Sequence, residues 1–192
     1  MPSIHETAYP RLKSSVTTKE LSEIYTPTAD ELALTGKVAR GSKARLCFLL
    51  LLKTFQRLGY FAQLRDVPLP IINHLTACLG EPEQSPVKLS AYDESGTRRR
   101  HVPVIRQYLN VRPYDKEAQE MLTNAVREAA QTKEDLADMI NVGLEELIRQ
   151  RVELPGFTTL LEEAQRGRAE INRVMFQRVI EALGESGPLV DG

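Results

Sequence analysis

The densest cluster of chemically capable side chains in this 192-residue chain is Arg98-Arg99-Arg100-His101, followed by Arg106 and Arg112. Guanidinium groups grip phosphate oxygens and, from a helix in the major groove, reach guanine edges. Arg99 and Arg106 stand seven apart and share one helical face, so a helix that opens on three arginines can lay its first turn on a phosphate backbone. A second set, Arg40, Lys43 and Arg45, flanks a helix start at Gly41-Ser42, where free N–H groups add to the charges. Lys53 and Arg57, four apart toward the end of the same helix, extend the candidate contacts, and Arg166, Arg168 and Arg173, with Arg178, form a more dilute set. For these last four the competing reading is a solvated helix face.

Other chemistries find little support. Gly36-Lys37-Val38-Ala39-Arg40-Gly41-Ser42-Lys43 imitates a phosphate-binding loop, but that motif needs lysine before the hydroxyl residue and follows a strand. Here the order is reversed and the preceding segment reads as helix. His74 and Cys78, four apart, are half of a metal site with no second pair at useful spacing, so both read as core. The histidines His5, His74 and His101 are scattered, and no Gly-x-Ser-x-Gly elbow occurs. The pairs Glu145-Glu146 and Glu162-Glu163 are adjacent on helices and point in different directions, which makes them solvated faces before acid/base pairs. The expectation is a non-enzymatic chain without catalytic residue, metal or cofactor.

Positioning these groups falls to a chain that is 42% hydrophobic, enough for one domain or two small ones. The longest apolar run, Leu46 to Leu52, has seven residues, far short of the roughly 18 to 20 of a membrane-spanning helix. The first residues lack the basic and apolar regions of a secretory signal, and two lone cysteines, Cys47 and Cys78, read as reduced thiols, so a cytoplasmic location is expected. A net charge of −1 hides an asymmetry: residues up to Arg112 hold 16 Lys+Arg against 10 Asp+Glu, and the remainder holds 9 against 16. A basic half is a candidate for a polyanionic partner.

The periodicity is helical nearly throughout, so the expected class is mainly α: two consecutive small helical bundles with helix-turn-helix-like elements. A helix opens at the Thr28 cap, with Gly36 as its stop. The next runs from Gly41-Ser42 through Leu46, Leu49, Leu50, Leu52 and Phe55 to Gly59; its apolar residues wrap most of the circumference, which marks the central buried helix. A short helix follows Pro68-Leu69-Pro70 and stops at Gly80, a loop covers 81–86, and a short extended piece is admitted near Val87 to Tyr92. The arginine-led helix begins after Asp93-Glu94-Ser95-Gly96 and ends near Asn110. Amphipathic helices then start at Asp115 and at Thr132-x-x-Asp135, Leu154-Pro155-Gly156 interrupts, and two further apolar stripes carry Leu160, Leu161 and Ala164, then Ile171 to Leu183. The expected division is a basic DNA-binding part over 1–112, a second helical part over 113–184, and a tail or linker over 185–192.

Taken together, several segments resemble the N-terminal region of TnpA-type transposases, the replicative transposases of the Tn-three family of bacterial class II elements. They are Arg45-Leu46-Cys47-Phe48-Leu49-Leu50-Leu51-Leu52-Lys53-Thr54-Phe55 with Leu58-Gly59-Tyr60-Phe61, the Pro-led helix to Leu79-Gly80, and Arg100-His101 with Ile105-Arg106 and Tyr108-Leu109. Leu154-Pro155-Gly156-Phe157-Thr158-Thr159-Leu160, Arg166 and Asn172-Arg173 complete the set, over roughly residues 15 to 183. The resemblance implies helical subdomains that bind double-stranded DNA at the transposon's terminal inverted repeats, ahead of a distant catalytic domain that this chain does not reach. A homodimer formed through parts of a full-length protein is compatible with it, and no membrane is implied. The rival reading is a helical interaction or dimerisation module whose basic half meets the acidic half of a second copy.

Overall fold

The computed structural model describes residues 2–80 and 89–185, and the chain is mainly α-helical, with no β-strand among the described residues. It divides into two compact units, Pro10–Pro113 and Met1–Tyr9 with Tyr114–Gly192.

The Pro10–Pro113 unit is built around α3 (Ser42–Leu58). Every residue from Leu46 to Phe55 is buried, so this helix has no solvent face along its middle. An α-helix that is apolar all round must be enclosed by its neighbours. The short α1 (Thr18–Glu20) with the wide turn Leu21–Tyr25, then α2 (Ala29–Val38), α4 (Leu69–Cys78), the turn Leu64–Asp66, and α6 (Gly96–Leu109) with the one-turn α5 (Leu89–Asp93) supply that enclosure. Phe48, Leu49, Leu52, Ile71, Leu75 and Ile105 are fully buried where they meet.

Local signals set the ends. Thr28 caps α2 through a reciprocal capping box with Glu31. Gly59, at φ 76°, takes the left-handed conformation that closes α3, and Asn110, at φ 51°, does the same for α6. α2 runs two residues past the expected stop, because Gly36 is tolerated inside it and the chain turns only at Ala39. The extended piece expected near Val87 to Tyr92 is instead helical from Leu89; Val87 and the loop 81–86 lie outside the described residues.

One charged pair sits inside this unit. Lys53 Nζ lies 3.2 Å from Glu31 Oε2, with side-chain exposures of 7% and 4%. Gln56 Nε2 donates to the other Glu31 oxygen at 2.6 Å, and the Thr28 N–H donates to Oε2 at 2.8 Å. Satisfying a buried carboxylate on all sides is what makes such a pair tolerable.

In the other unit α7 (Lys116–Ala130), α8 (Leu136–Arg149) and α9 (Phe157–Glu185) pack pairwise. Asp115 and Asp135 cap α7 and α8; Thr132 belongs to the end of α7, where its hydroxyl donates to the Ala129 carbonyl, so the expected start at Thr132 moves to Asp135. A Cβ on Gly143 would stand 2.6 Å from Leu122 Cδ1, and one on Gly167 3.0 Å from Val126 Cγ1, so both glycines let α8 and α9 approach α7 closely. The two stripes expected as separate final helices form one 29-residue helix.

The division departs from the expected 1–112 in its first nine residues. The Ala8 N–H donates to Asn141 Oδ1 at 2.8 Å, the Tyr9 hydroxyl donates to the Pro155 carbonyl at 3.0 Å, and the Tyr9 ring packs edge-on against Phe157. Glu6 leaves the basic part with them, so Pro10–Pro113 holds 16 Lys+Arg against 9 Asp+Glu. Of the expected tail 185–192, residues 186–192 lie outside the described residues.

Removing Lys53 leaves Glu31 as a buried, uncompensated charge. Lys53→Met is therefore expected to lower the unfolding free energy by about 3 kcal/mol, and Lys53→Met combined with Glu31→Gln to recover most of it. Urea unfolding measures both, and a Lys53→Met cost below about 1 kcal/mol contradicts this account.

Candidate nucleic-acid interface

Two helix starts converge in the Pro10–Pro113 unit. Arg40, Lys43, Cys47, Tyr92, Ser95 and Thr97 line a concavity of about 390 Å³ between the first turns of α3 and α6. A neighbouring one of about 470 Å³ shares Arg40, Ala44 and Thr97 with it and adds Arg100. Together they form one groove with basic residues on its rim.

The two helix starts differ from the others in carrying cations without an acid: the first turns of α4 and α9 also lack acids but hold no basic residue. Acids occupy the first turns of α2 (Asp30, Glu31), α7 (Glu117) and α8 (Asp138), as the helix dipole favours. The first turns of α3 and α6 hold no acid. α3 opens on Gly41, at φ 85°, a cap with no side-chain acceptor for the first N–H groups. Arg40, Lys43 and Arg45 are exposed around that start, and Arg99 and Arg100 around the start of α6. Among the described residues no carboxylate pairs with any of the five. Like charges at a helix N-terminus repel the dipole, and an anion placed there relieves both.

Arg98 sets this geometry from inside. Its guanidinium lies 3.1 Å from Asp93 Oδ1 and donates to the carbonyls of Phe61 and Ala62 at 3.1 and 3.0 Å. Asp93 also accepts from the Leu64 and Arg65 N–H groups. The start of α6 is thereby stapled to the 61–65 turn, which holds Arg99 and Arg100 outward. Arg98 itself, with a side chain 11% exposed, is a positioning residue and is withdrawn from the expected DNA contacts.

His101 is also buried. Its Nδ1 lies 2.8 Å from the Tyr92 hydroxyl and its ring packs edge-on against Phe48. Burial, and then the Arg100 charge, hold its pKa below the ordinary value near 6.5. Burial likewise raises the Tyr92 hydroxyl and pushes the Cys47 thiol up to about 11, so the groove's floor is uncharged under its cationic rim.

The remaining candidates are dispersed. Lys53 is occupied by Glu31. Arg57 is exposed in a separate small concavity beside Arg11, Lys13 and Tyr25. Arg106 is half-buried with its guanidinium carbon 5.4 Å from the Phe61 ring centre, and Arg112 is half-buried and engaged within the chain. In the other unit Arg166 pairs with Glu163 at 2.8 Å, Arg168 lies in a concavity lined by Glu6, Glu134, Asp135 and Asp138, and Arg173 is exposed on α9. The sequence pointed to both helix starts; what it missed is Thr97 and Ser95, which line the groove and whose hydroxyls carried no motif.

A mainly α-helical chain with a cationic groove between two helix starts is the class that fold and site define. The chain belongs to the family described as Domain of unknown function (DUF4158), whose profile matches residues 1–166. No curated protein matches the chain.

Two predictions follow from the staple and from His101. Arg98→Ala is expected to cost about 3 kcal/mol of stability, while Arg100→Ala changes it by no more than about 0.5 kcal/mol; equal effects in urea unfolding would contradict the division of roles. Because the folded state disfavours the His101 proton, stability is complete above pH 6.5 and falls as pH drops through that value. In His101→Phe the unfolding midpoint should lose that slope, and an unchanged slope assigns it elsewhere.

Proposed function

We propose that this chain is the sequence-specific DNA-binding, non-catalytic N-terminal part of a replicative transposase, and that it recognises the transposon's terminal inverted repeats. One observation carries the reading: the cationic starts of α3 and α6 converge on one groove whose cations have no carboxylate partner among the described residues. Arg40, Lys43 and Arg45 then neutralise backbone phosphates together with the free N–H groups of α3. α6 follows the short α5 as the second element of a helix-turn-helix-like pair. Its exposed residues Arg99, Arg100 and Gln107 carry the groups that read guanine and adenine edges. The resemblance of the motifs at 45–61, 100–109 and 154–160 to the transposase N-terminal region supplies the identity of the duplex. Under this reading chemistry on DNA belongs to another part of a transposase, as the resemblance implies.

Fluorescence anisotropy tests it with duplexes carrying terminal inverted repeats and a scrambled control. The expected result is at least a ~10-fold preference for the repeat and an affinity that falls steeply with salt. Arg40→Ala should weaken both duplexes alike and shallow the salt slope by about one, whereas Arg99→Ala and Arg100→Ala should also erode the preference. Equal weak binding to both duplexes contradicts sequence recognition, and no binding at low salt contradicts the DNA reading altogether.

A further inference from the structure

On its outer face α6 breaks a rule of helix building. Pro103 stands in the interior of the Gly96–Leu109 helix. A proline there lacks an N–H and withholds the donor that the Arg99 carbonyl would accept, at a cost of about 3 kcal/mol. Burial of the ring does not offset this, because Pro103 is exposed. From the start of α6 to Gln107 the exposed residues are Gly96, Arg99, Arg100, Pro103 and Gln107, and their spacing puts them on one stripe along the helix. The stripe holds no acid, and α6 has none anywhere. A cation, an apolar ring and a carboxamide thus follow one another at Arg99, Pro103 and Gln107, each four residues from the next.

We propose that Pro103 is a thymine-reading residue, its ring set against the 5-methyl group in the major groove between the bases that Arg99 and Gln107 read. The assignment rests on the DNA reading and deepens it by naming bases of the site. Arg99 and Arg100 have no carboxylate partner among the described residues, so the stripe is complementary to a polyanion. In the major groove the thymine methyl is the apolar group that a base pair presents, and the proline ring carries neither donor nor acceptor for the polar edges. Its neighbours on the stripe do: the Arg99 guanidinium fits guanine O6 and N7, and the Gln107 carboxamide fits adenine N6 and N7. Four residues of helix rise about 6 Å, a little under two base-pair steps of roughly 3.4 Å. Arg99, Pro103 and Gln107 therefore address a guanine, a thymine and an adenine about two base pairs apart, on either strand.

Selection from a randomised duplex library with the 192-residue chain, followed by fluorescence anisotropy on the selected site, tests it. The expected site holds guanine, thymine and adenine in that order at intervals of about two base pairs. Replacing the thymine by deoxyuridine removes only the methyl group and should weaken binding about 4-fold, the worth of one buried methyl. The protein is unchanged in that comparison, so its folding is not at issue. In Pro103→Ser, which frees the helix interior of its proline, the thymine–uracil difference should vanish. In Gln107→Ala it should persist while the preference for adenine is lost. A selected site without the thymine, a uracil duplex bound as tightly as its thymine parent, or a difference that survives in Pro103→Ser overturns the proposal and leaves DNA binding standing. A chain that binds no duplex at low salt overturns the DNA reading and this assignment with it.

Discussion

The organisation of the Pro10–Pro113 unit follows from one constraint: α3 is buried around its whole circumference from Leu46 to Phe55. A helix with no solvent face can act on the outside only through its ends. Its C-terminal end is closed by Gly59. Its N-terminal end opens on a glycine cap between Arg40 and Lys43, and the elements that enclose α3 bring the first turn of α6 beside it. Burial of an apolar helix therefore generates the groove, and the cations are placed by the path of the backbone.

Arginines adjacent in sequence then take different parts. Arg98 points inward and spends its donors on Asp93, Phe61 and Ala62, whereas Arg99 and Arg100 remain on the surface. Cations in the first turn of a helix act against its dipole, at a cost of about 0.3 to 1 kcal/mol each. Lys43, Arg45 and Arg99 stand in such first turns, with Arg40 just before one and Arg100 just after the other, and this gathering is difficult to explain as a stabilising feature and natural as an anion-binding one. Local rules broken without structural compensation are expected where a molecule binds something.

Much of the helical architecture was legible in the residues. The all-round apolar pattern of α3, the Thr28 cap, the Gly59 stop and the Asn110 close are local signals, and each acts within a few residues. Lys53, Arg98 and His101 were not legible as interior residues, because their partners come from elsewhere in the fold. Glu31 lies 22 residues before Lys53, and the Phe61 carbonyl lies 37 residues before Arg98. A basic residue on a helix reads as surface until its partner is known. Gly36 reads as a stop for a related reason: a glycine in a helical pattern marks a break or a tolerated interior position, and at Gly167 it is the neighbouring Val126 that shows a close approach.

The most direct test of the central claim, that the starts of α3 and α6 form one anion-contacting surface, is backbone amide NMR of the chain titrated with duplex DNA. The account predicts that the largest shift changes cluster at residues 40–45 and 95–100, with amides of α7 and α8 unmoved. Changes concentrated in the α7–α9 unit, or none at low salt, would contradict it.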